Sequence, residues 1–150
     1  VGVVEEDPAM LDKLFGNGTT VMAKALDGLA MRQRAIAENI SNVDTPNYKR
    51  LEVSFEGELH DAAERTSPEG ELPMATTDPR HFRMGGPQSL EEFQAQMTRA
   101  DDTTMRNDGN NVDVDSEMTK LAQTSLSYTT IADMVKRRFA GMNSVIRGNP

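Results

Sequence analysis

The stretch 113–146, DVDSEMTKLAQTSLSYTTIADMVKRRFAGMNSVI, decides the fold. Its residues Val114, Met118, Leu121, Ser125, Tyr128, Ala132, Val135, Phe139, Met142 and Ile146 follow one another in alternating steps of four and three. That is the a/d spacing that lays a single apolar seam along a helix. No Pro interrupts the run, and its one Gly, Gly141, falls off the seam. At 1.5 Å of rise per residue, roughly 32 helical residues make a rod of ~48 Å. A domain of 150 residues does not need so long a helix to close its own core, so the seam calls for a partner helix, from this chain or from another copy. An ordinary bundle helix buries a stripe of the same period. The periodicity therefore fixes the helix and leaves its partner open. Lys120, Lys136, Arg137 and Arg138 take outer positions, the last three in the half where cations suit the negative end of the helix dipole.

A second helix of the same kind is predicted from about residue 19 to Asn42. Its seam reads Met22, Leu26, Leu29, Gln33, Ile36, Ile40 and Val43, again in steps of four and three. Ala25, Ala30 and Ala37 raise its helix propensity, and Gln33 is a polar break that either fixes register or marks the shallow side of the stripe. Upstream, Met10, Leu11, Leu14 and Phe15 form a short apolar cluster that Gly16, Asn17 and Gly18 end, so Thr19 or Thr20 is the expected cap. The helix stops in 41–50, SNVDTPNYKR: Pro46 cannot continue it and pushes Thr45 to extended geometry, while Asn42, Asp44 and Asn47 suit turns. Tyr48 supplies an aromatic body with a polar tip to dock this turn. The two seams most simply cover each other, parallel or antiparallel, and further copies or proteins complete the bundle.

Composition narrows the function classes. Aromatic content is 5% with no Trp, and there are ten Met, so the core is aliphatic and thioether. A formal net charge of −8 argues against a nucleic-acid binder, which needs clustered Lys and Arg. Without Cys there is no disulfide, thiolate metal site or Cys nucleophile. No run is long and apolar enough for a transmembrane helix, and no signal-peptide core is visible.

The middle is read as loop-rich with short extended segments. Leu51, Val53 and Phe55 alternate with Glu52, Ser54 and Glu56, a strand pattern. Residues 57–86 carry Pro, Gly, Glu and Thr with little periodicity; 72–76 suggest one extended piece and 77–82 a turn. Ser89 is positioned to cap a weak helix over 89–106 with Leu90, Phe93 and Met97 on one side. The acidic run 108–117 fails as a calcium loop, because Val112 and Asp113 fall where a ligand and the required Gly belong. It reads better as an Asp108–Gly109 turn, with Asp113 or Asp115 capping the last helix and Glu117 in its first turn. His60 and His81 lack an i,i+4 partner histidine, and no hydroxyl has a recognisable base, so no catalytic, metal or cofactor residue is assigned. The expected fold is mainly α: two long terminal heptad helices, coiled-coil-like, flanking the loop-rich middle. The expected divisions are a tail and apolar cluster (1–18), a helix with its closing loop (19–56), the middle (57–112) and the last helix (113–150).

The run 37–50, AENISNVDTPNYKR, resembles the signature of the flagellar basal-body rod protein family of axial proteins, carried here by Asn39, Ile40, Ser41, Asn42, Thr45, Pro46, Tyr48 and Lys49. The family usually has Gly where this chain has Asn47, a mild departure because Asn is the best other residue at a left-handed position. Residues 10–15 and 108–118 are also similar to the family's two ends, so the resemblance covers roughly 10–56 and 108–146. It implies a structural rod subunit, not an enzyme, without cofactor. Such a subunit is exported by the flagellar type III route without a cleaved signal and polymerises in the periplasmic rod. It also implies self-association and contacts with other rod subunits and basal-body ring or export-gate proteins. The implied assembly seams are Met22, Leu26, Leu29, Gln33, Ile36 and Ile40 in the first helix and Met118, Leu121, Tyr128, Val135, Phe139, Met142 and Ile146 in the last. The implied neighbour-contacting loop carries Asn39, Asn42, Thr45, Pro46, Tyr48 and Lys49. A soluble coiled-coil adaptor or export chaperone would share the acidic surface and the seams, and another rod paralogue would share the signature.

Overall fold

The computed structural model describes residues 8–65, 89–101 and 107–148, without the side chains of 8–15 and 65. The elements are α1 (Pro8–Ser41), β1 (Leu51–Ser54), α2 (Glu56–Arg65), β2 (Gln96–Arg99) and α3 (Val114–Ile146). The fold is mainly helical: α1 and α3 pack together along their length, with a two-stranded antiparallel sheet and the short α2 laid on α1. At one end Asn39 of α1 meets Glu117 of α3. At the other, a Cβ built on Gly18 of α1 would stand 3.0 Å from the Arg138 guanidinium. Residue 39 with 117 and 18 with 138 fix the pair as antiparallel, which the seams alone left open.

Gly16 is the one residue inside α1 with non-helical angles, φ 54 and ψ 158, so the two turns before it are set at a kink to the rest. The predicted break is present. Helix resumes at Asn17, however, ahead of the expected cap at Thr19 or Thr20, because one glycine in a left-handed φ redirects the chain without a separate capping residue. The side chains of Met10, Leu11, Leu14 and Phe15 lie outside those described. At the other end α1 closes at Ser41, and Val43 belongs to the turn that follows.

The buried apolar layer joins α1 to the middle of the chain. Leu29 and Ala35 of α1 meet Val53, Phe55, Leu59, Ala62, Leu90 and Phe93, with Ile131 of α3 packed against them. Phe55 lies directly on the backbone of Gly28: a Cβ there would come within 2.7 Å of the ring. The Arg32 guanidinium covers the same ring 4.9 Å from its centroid and donates to the Val53 carbonyl at 2.8 and 3.0 Å.

Two expectations for the middle are corrected. Residues 56–65 form α2, where a loop was anticipated. Gly57 and the run of charges hide a short helix whose Leu59 and Ala62 are buried and whose first turn carries Glu56 and Glu58. Residues 89–101, the described part of the expected helix, are not helical. The Ser89 hydroxyl accepts from the Glu92 N–H for a single turn, and Leu90 and Phe93 drop into the core. Lys24 of α1 then holds this turn through the Glu91 and Phe93 carbonyls, at 3.0 and 2.9 Å. Beyond it the chain extends into β2, pairing Leu51 with Arg99 and Ser54 with Gln96. Tertiary pairing overrides a weak helical pattern already undermined by Thr98. The anticipated extended piece at 72–76, the turn at 77–82 and His81 lie outside the described residues.

Candidate functional site: an asparagine-clamped helix junction

The end of α1, the loop 42–50 and the start of α3 converge on three asparagines, Asn39, Asn110 and Asn111, each fully buried. A buried amide must place its two donors and its carbonyl. Each of these does so on backbone groups that regular structure leaves over.

Asn39, in the last turns of α1, acts as a strand neighbour to β1. Its Oδ1 accepts from the Leu51 N–H at 2.7 Å and its Nδ2 donates to the Leu51 carbonyl at 2.9 Å. The same side chain donates to Glu117 Oε2 at 3.0 Å and accepts from the Tyr48 hydroxyl at 3.2 Å. The sheet edge that faces α1 is thereby satisfied by Asn39 and, at Val53, by Arg32.

Asn110 closes the turn that follows α1. Asn110 Nδ2 lies 2.9–3.0 Å from the carbonyls of Asn42, Val43 and Thr45, while its Oδ1 accepts from the Val112 N–H at 2.8 Å. Asn111 bridges the sheet where it frays: Oδ1 accepts from the Arg50 N–H and Nδ2 donates to the Ala100 carbonyl, both at 2.7 Å.

The two loops lock by backbone as well. The Asn47 N–H donates to the Asp108 carbonyl at 2.9 Å. Asn47 sits at φ 58, the left-handed region that Gly and Asn adopt most readily. Opposite it Gly109, at φ 81, leaves room for the Asn47 Oδ1, which a Cβ would meet at 2.6 Å. Asp108 takes the Asn110 N–H at 3.1 Å, and Asp113 caps α3 through the Asp115 and Ser116 N–H groups.

The charges at this junction are placed with care. The Glu117 side chain is only 3% exposed, held between Asn39 and Lys120, whose Nζ is 2.7 Å from Oε1. Glu117 therefore links the helices as well as complementing the α3 dipole. Burial pushes the Tyr48 phenol up, Glu38 and Glu117 add to this, and Arg99 opposes it; Tyr48 stays a neutral donor to Asn39. Among the described residues no three His, Asp or Glu are grouped to hold a metal ion, and no helix is long and apolar enough to cross a membrane.

The predicted loop residues divide by role. Asn39, Asn42 and Tyr48 hold the junction, Asn42 by donating to the Glu38 carbonyl and accepting from the Thr45 hydroxyl. Thr45 and Pro46 are exposed and Lys49 half-buried. In the α1 seam Leu29 and Ile36 are buried, and Met22, Leu26, Gln33 and Ile40 half-buried. In the α3 seam Leu121, Val135 and Met142 are half-buried, while Met118, Tyr128, Phe139 and Ile146 are exposed. The positions α3 buries are Glu117 and Thr124, one step round the helix. Asn110 and Asn111 belong to the run 108–118 that resembles the family, and the sequence gives neither of them this clamping role. Their one signal is a pair of adjacent amides just past an Asp-Gly turn, a pattern that also describes an exposed loop.

A profile for the flagella basal body rod protein matches residues 21–49, the second half of α1 with the signature loop. Over the whole chain there is 34% identity across 135 residues to the flagellar basal body rod protein FlgB of Bacillus subtilis, covering 90% of this chain and 97% of that one. The FlgB of Borrelia hermsii is 36% identical over 138 residues, 89% of this chain and 98% of that one. The chain belongs to the FlgB family of flagellar basal-body rod proteins. The FlgB of Yersinia enterocolitica, 32% identical over 139 residues, carries the likeness across 92% of this chain and 98% of its own. FlgB proteins are structural and not enzymes, and this chain is a structural subunit of the flagellar basal-body rod. The likeness embraces α1, the junction and α3 together, so the FlgB signature is the half of the clamp that α1 supplies.

Proposed function

We propose that this chain builds the rod through its antiparallel α1–α3 pair, which carries torque between motor and hook. The observation that carries the reading is the Asn39–Glu117 bond inside a buried polar junction. It ties residues 78 apart in sequence into one body, so a load on either terminal helix passes to the other through short hydrogen bonds. Met118, Phe139 and Ile146, 53%, 42% and 81% exposed, support assembly through the uncovered side of α3. Leu29 and Ile36, buried within the chain, serve the pair itself. The partners are further copies, other rod subunits and the ring or export-gate proteins at the rod base. The route is flagellar type III export to the periplasmic rod without a cleaved signal.

The test is complementation of a strain lacking its own FlgB. Restored swimming, with the chain recovered in purified basal bodies at unaltered N-terminus, is the expected result. A chain that stays in the cytoplasm bound to export components would replace the rod reading with the adaptor one.

A further inference from the structure

The charge of this protein is uneven along its chain. Residues 118–150 hold five of the 16 Lys and Arg but one of the 24 Asp and Glu, a net +4 in a chain of −8. The ten residues of α2 hold four acids and one base. A basic and an acidic helix surface thus stand on one molecule.

Glycines mark the same two surfaces. Gly28 is required by the Phe55 ring, Gly18 lies against the Arg138 guanidinium, and Gly16, Gly109 and Gly148 have positive φ. Gly57 of α2 and Gly141 of α3 are different: a Cβ on either meets nothing within 4 Å, and neither has a positive φ. Glycine inside a helix is unfavourable, and Gly141 lies within α3, five residues before its end at Ile146. Nothing within the described chain accounts for it.

On a helix, residues four apart share a face. Gly141 therefore lies beside Arg137, and Leu126, 70% exposed, lies about three turns before Arg137 on the same face. The one acid of this segment, Asp133, is a turn earlier. Gly57 lies beside Asp61, with Glu58 and Glu64 on its flanks, all exposed; Glu64 also pairs with His60 at 3.2 Å. Both lines point away from the sides their helices bury, which are Leu59 and Ala62 in α2 and Glu117 and Thr124 in α3. Two outward lines of one body cannot meet each other.

We propose that the outward face of α3 around Arg137 and Gly141 receives the outward face of α2 around Gly57 and Asp61 from a second copy of this chain. An antiparallel crossing sets Arg137 against Asp61 and Gly141 against Gly57 in the same register, so the opposed charges meet where both backbones are bare enough to approach closely. The contact is heterologous: each copy offers one face and receives on the other, so it propagates and does not close as a pair. It deepens the rod-assembly reading above and rests on it.

The chain has no cysteine, so introduced thiols report this contact alone. Gly57→Cys and Gly141→Cys are prepared as separate chains, each checked for unchanged helicity by circular dichroism, then mixed at low salt and oxidised. The expected product is a disulfide dimer from the mixture, at least tenfold above either variant alone, falling as salt rises because the opposed charges are solvent-facing. A Gly57→Cys/Gly141→Cys chain should give a ladder of sizes. Charge reversal by Arg137→Glu should abolish cross-linking to Gly57→Cys, and Asp61→Arg on the partner should restore it. If mass grows with concentration in the unsubstituted chain but the mixture gives no dimer above background, this contact is overturned and the assembly reading stands. If the unsubstituted chain stays monomeric throughout, both fall.

Discussion

Replacing Asn39 by Leu keeps the volume near native and removes the amide that serves four hydrogen bonds. The partners left behind differ in what they can recover. Tyr48 is half-buried and its hydroxyl can turn to water. The Leu51 N–H and carbonyl face α1 and have no second partner among these bonds, and Glu117 keeps Lys120 only. An unsatisfied buried polar group costs about 1–3 kcal/mol, more when charged. Two orphaned backbone groups and a half-satisfied carboxylate therefore place the loss at roughly 3–5 kcal/mol, against about 5–15 kcal/mol of total stability for a typical domain. The assay is urea denaturation followed by circular dichroism at 222 nm, where the midpoint should fall at an unchanged slope. A companion Asn39→Asp variant keeps the acceptor and the shape but sets a second carboxylate at Glu117. It should be less stable than native at pH 7 and regain part of the loss near pH 4, where the introduced carboxyl is protonated and donates again. A loss below about 1 kcal/mol for Asn39→Leu, or an Asn39→Asp chain indifferent to pH, would refute the claim that this amide joins α1 to α3.

Three further outcomes follow from the geometry. Gly28→Ala drives a methyl to within 2.7 Å of the Phe55 ring and should lower stability by about 1–3 kcal/mol through overpacking, read in the same denaturation. Gly141→Ala should act oppositely, raising the stability of the isolated chain by up to ~1 kcal/mol since nothing lies within 4 Å; a loss would mean α3 is constrained there within the monomer. The Arg32 hydrogen bond holds the Glu56 carboxyl below its ordinary value of 4.5, with the Phe55 N–H assisting and burial opposing. A lowered carboxylate stabilises the fold above its unfolded value and loses that contribution as pH falls through the folded one. Glu56→Gln should therefore flatten the stability curve below about pH 4.5 and leave the neutral range nearly parallel to native.

The long helices were legible because α3 carries its period over about nine turns and α1 over about six, and both ends of α3 fall within a residue of the pattern's own limits. The face α3 turns inward was less so. Apolar spacing pointed at Met118 and Phe139, yet the helix buries Glu117 and Thr124. A buried Asn39 draws the carboxylate in and so rotates the helix at its start; periodicity counts apolar residues and is blind to such a bond. The signature loop was legible as a turn, and Asn47 as its left-handed position, from Pro46 and the asparagines around it. What holds that turn was not, since its carbonyls are bound by Asn110, 65 or more residues away. Helix α2 and strand β2 were missed for one reason. Each is short, and each is stabilised by Leu59, Ala62, Leu90 and Phe93 dropping into a shared layer on α1, an arrangement that no local window of sequence contains.

The junction also explains why the chain is stiff at one end and open at the other. Around residues 39, 110, 111 and 117 the four buried polar side chains are each held by hydrogen bonds. Past Ile131, α3 keeps half-buried Val135 and Met142 on its inner side while Met134, Val145 and Ile146 are 55%, 82% and 81% exposed. Apolar area left in water at that end is stabilisation still to be gained, about 25 cal/mol per Å2 on burial. A subunit that must fold before it joins a rod can satisfy its polar groups first, because those are costly to leave open. It can then leave its apolar end uncovered, because water tolerates exposed methionine far better than an orphaned carbonyl. The order of events expected on the proposed assembly is that the asparagine clamp forms within the chain and the far half of α3 gains its cover when copies join. Hydrogen exchange is the direct measure, with the α1–α3 amides near residues 39 and 117 protected in the free chain and those beyond 131 gaining protection only when copies associate.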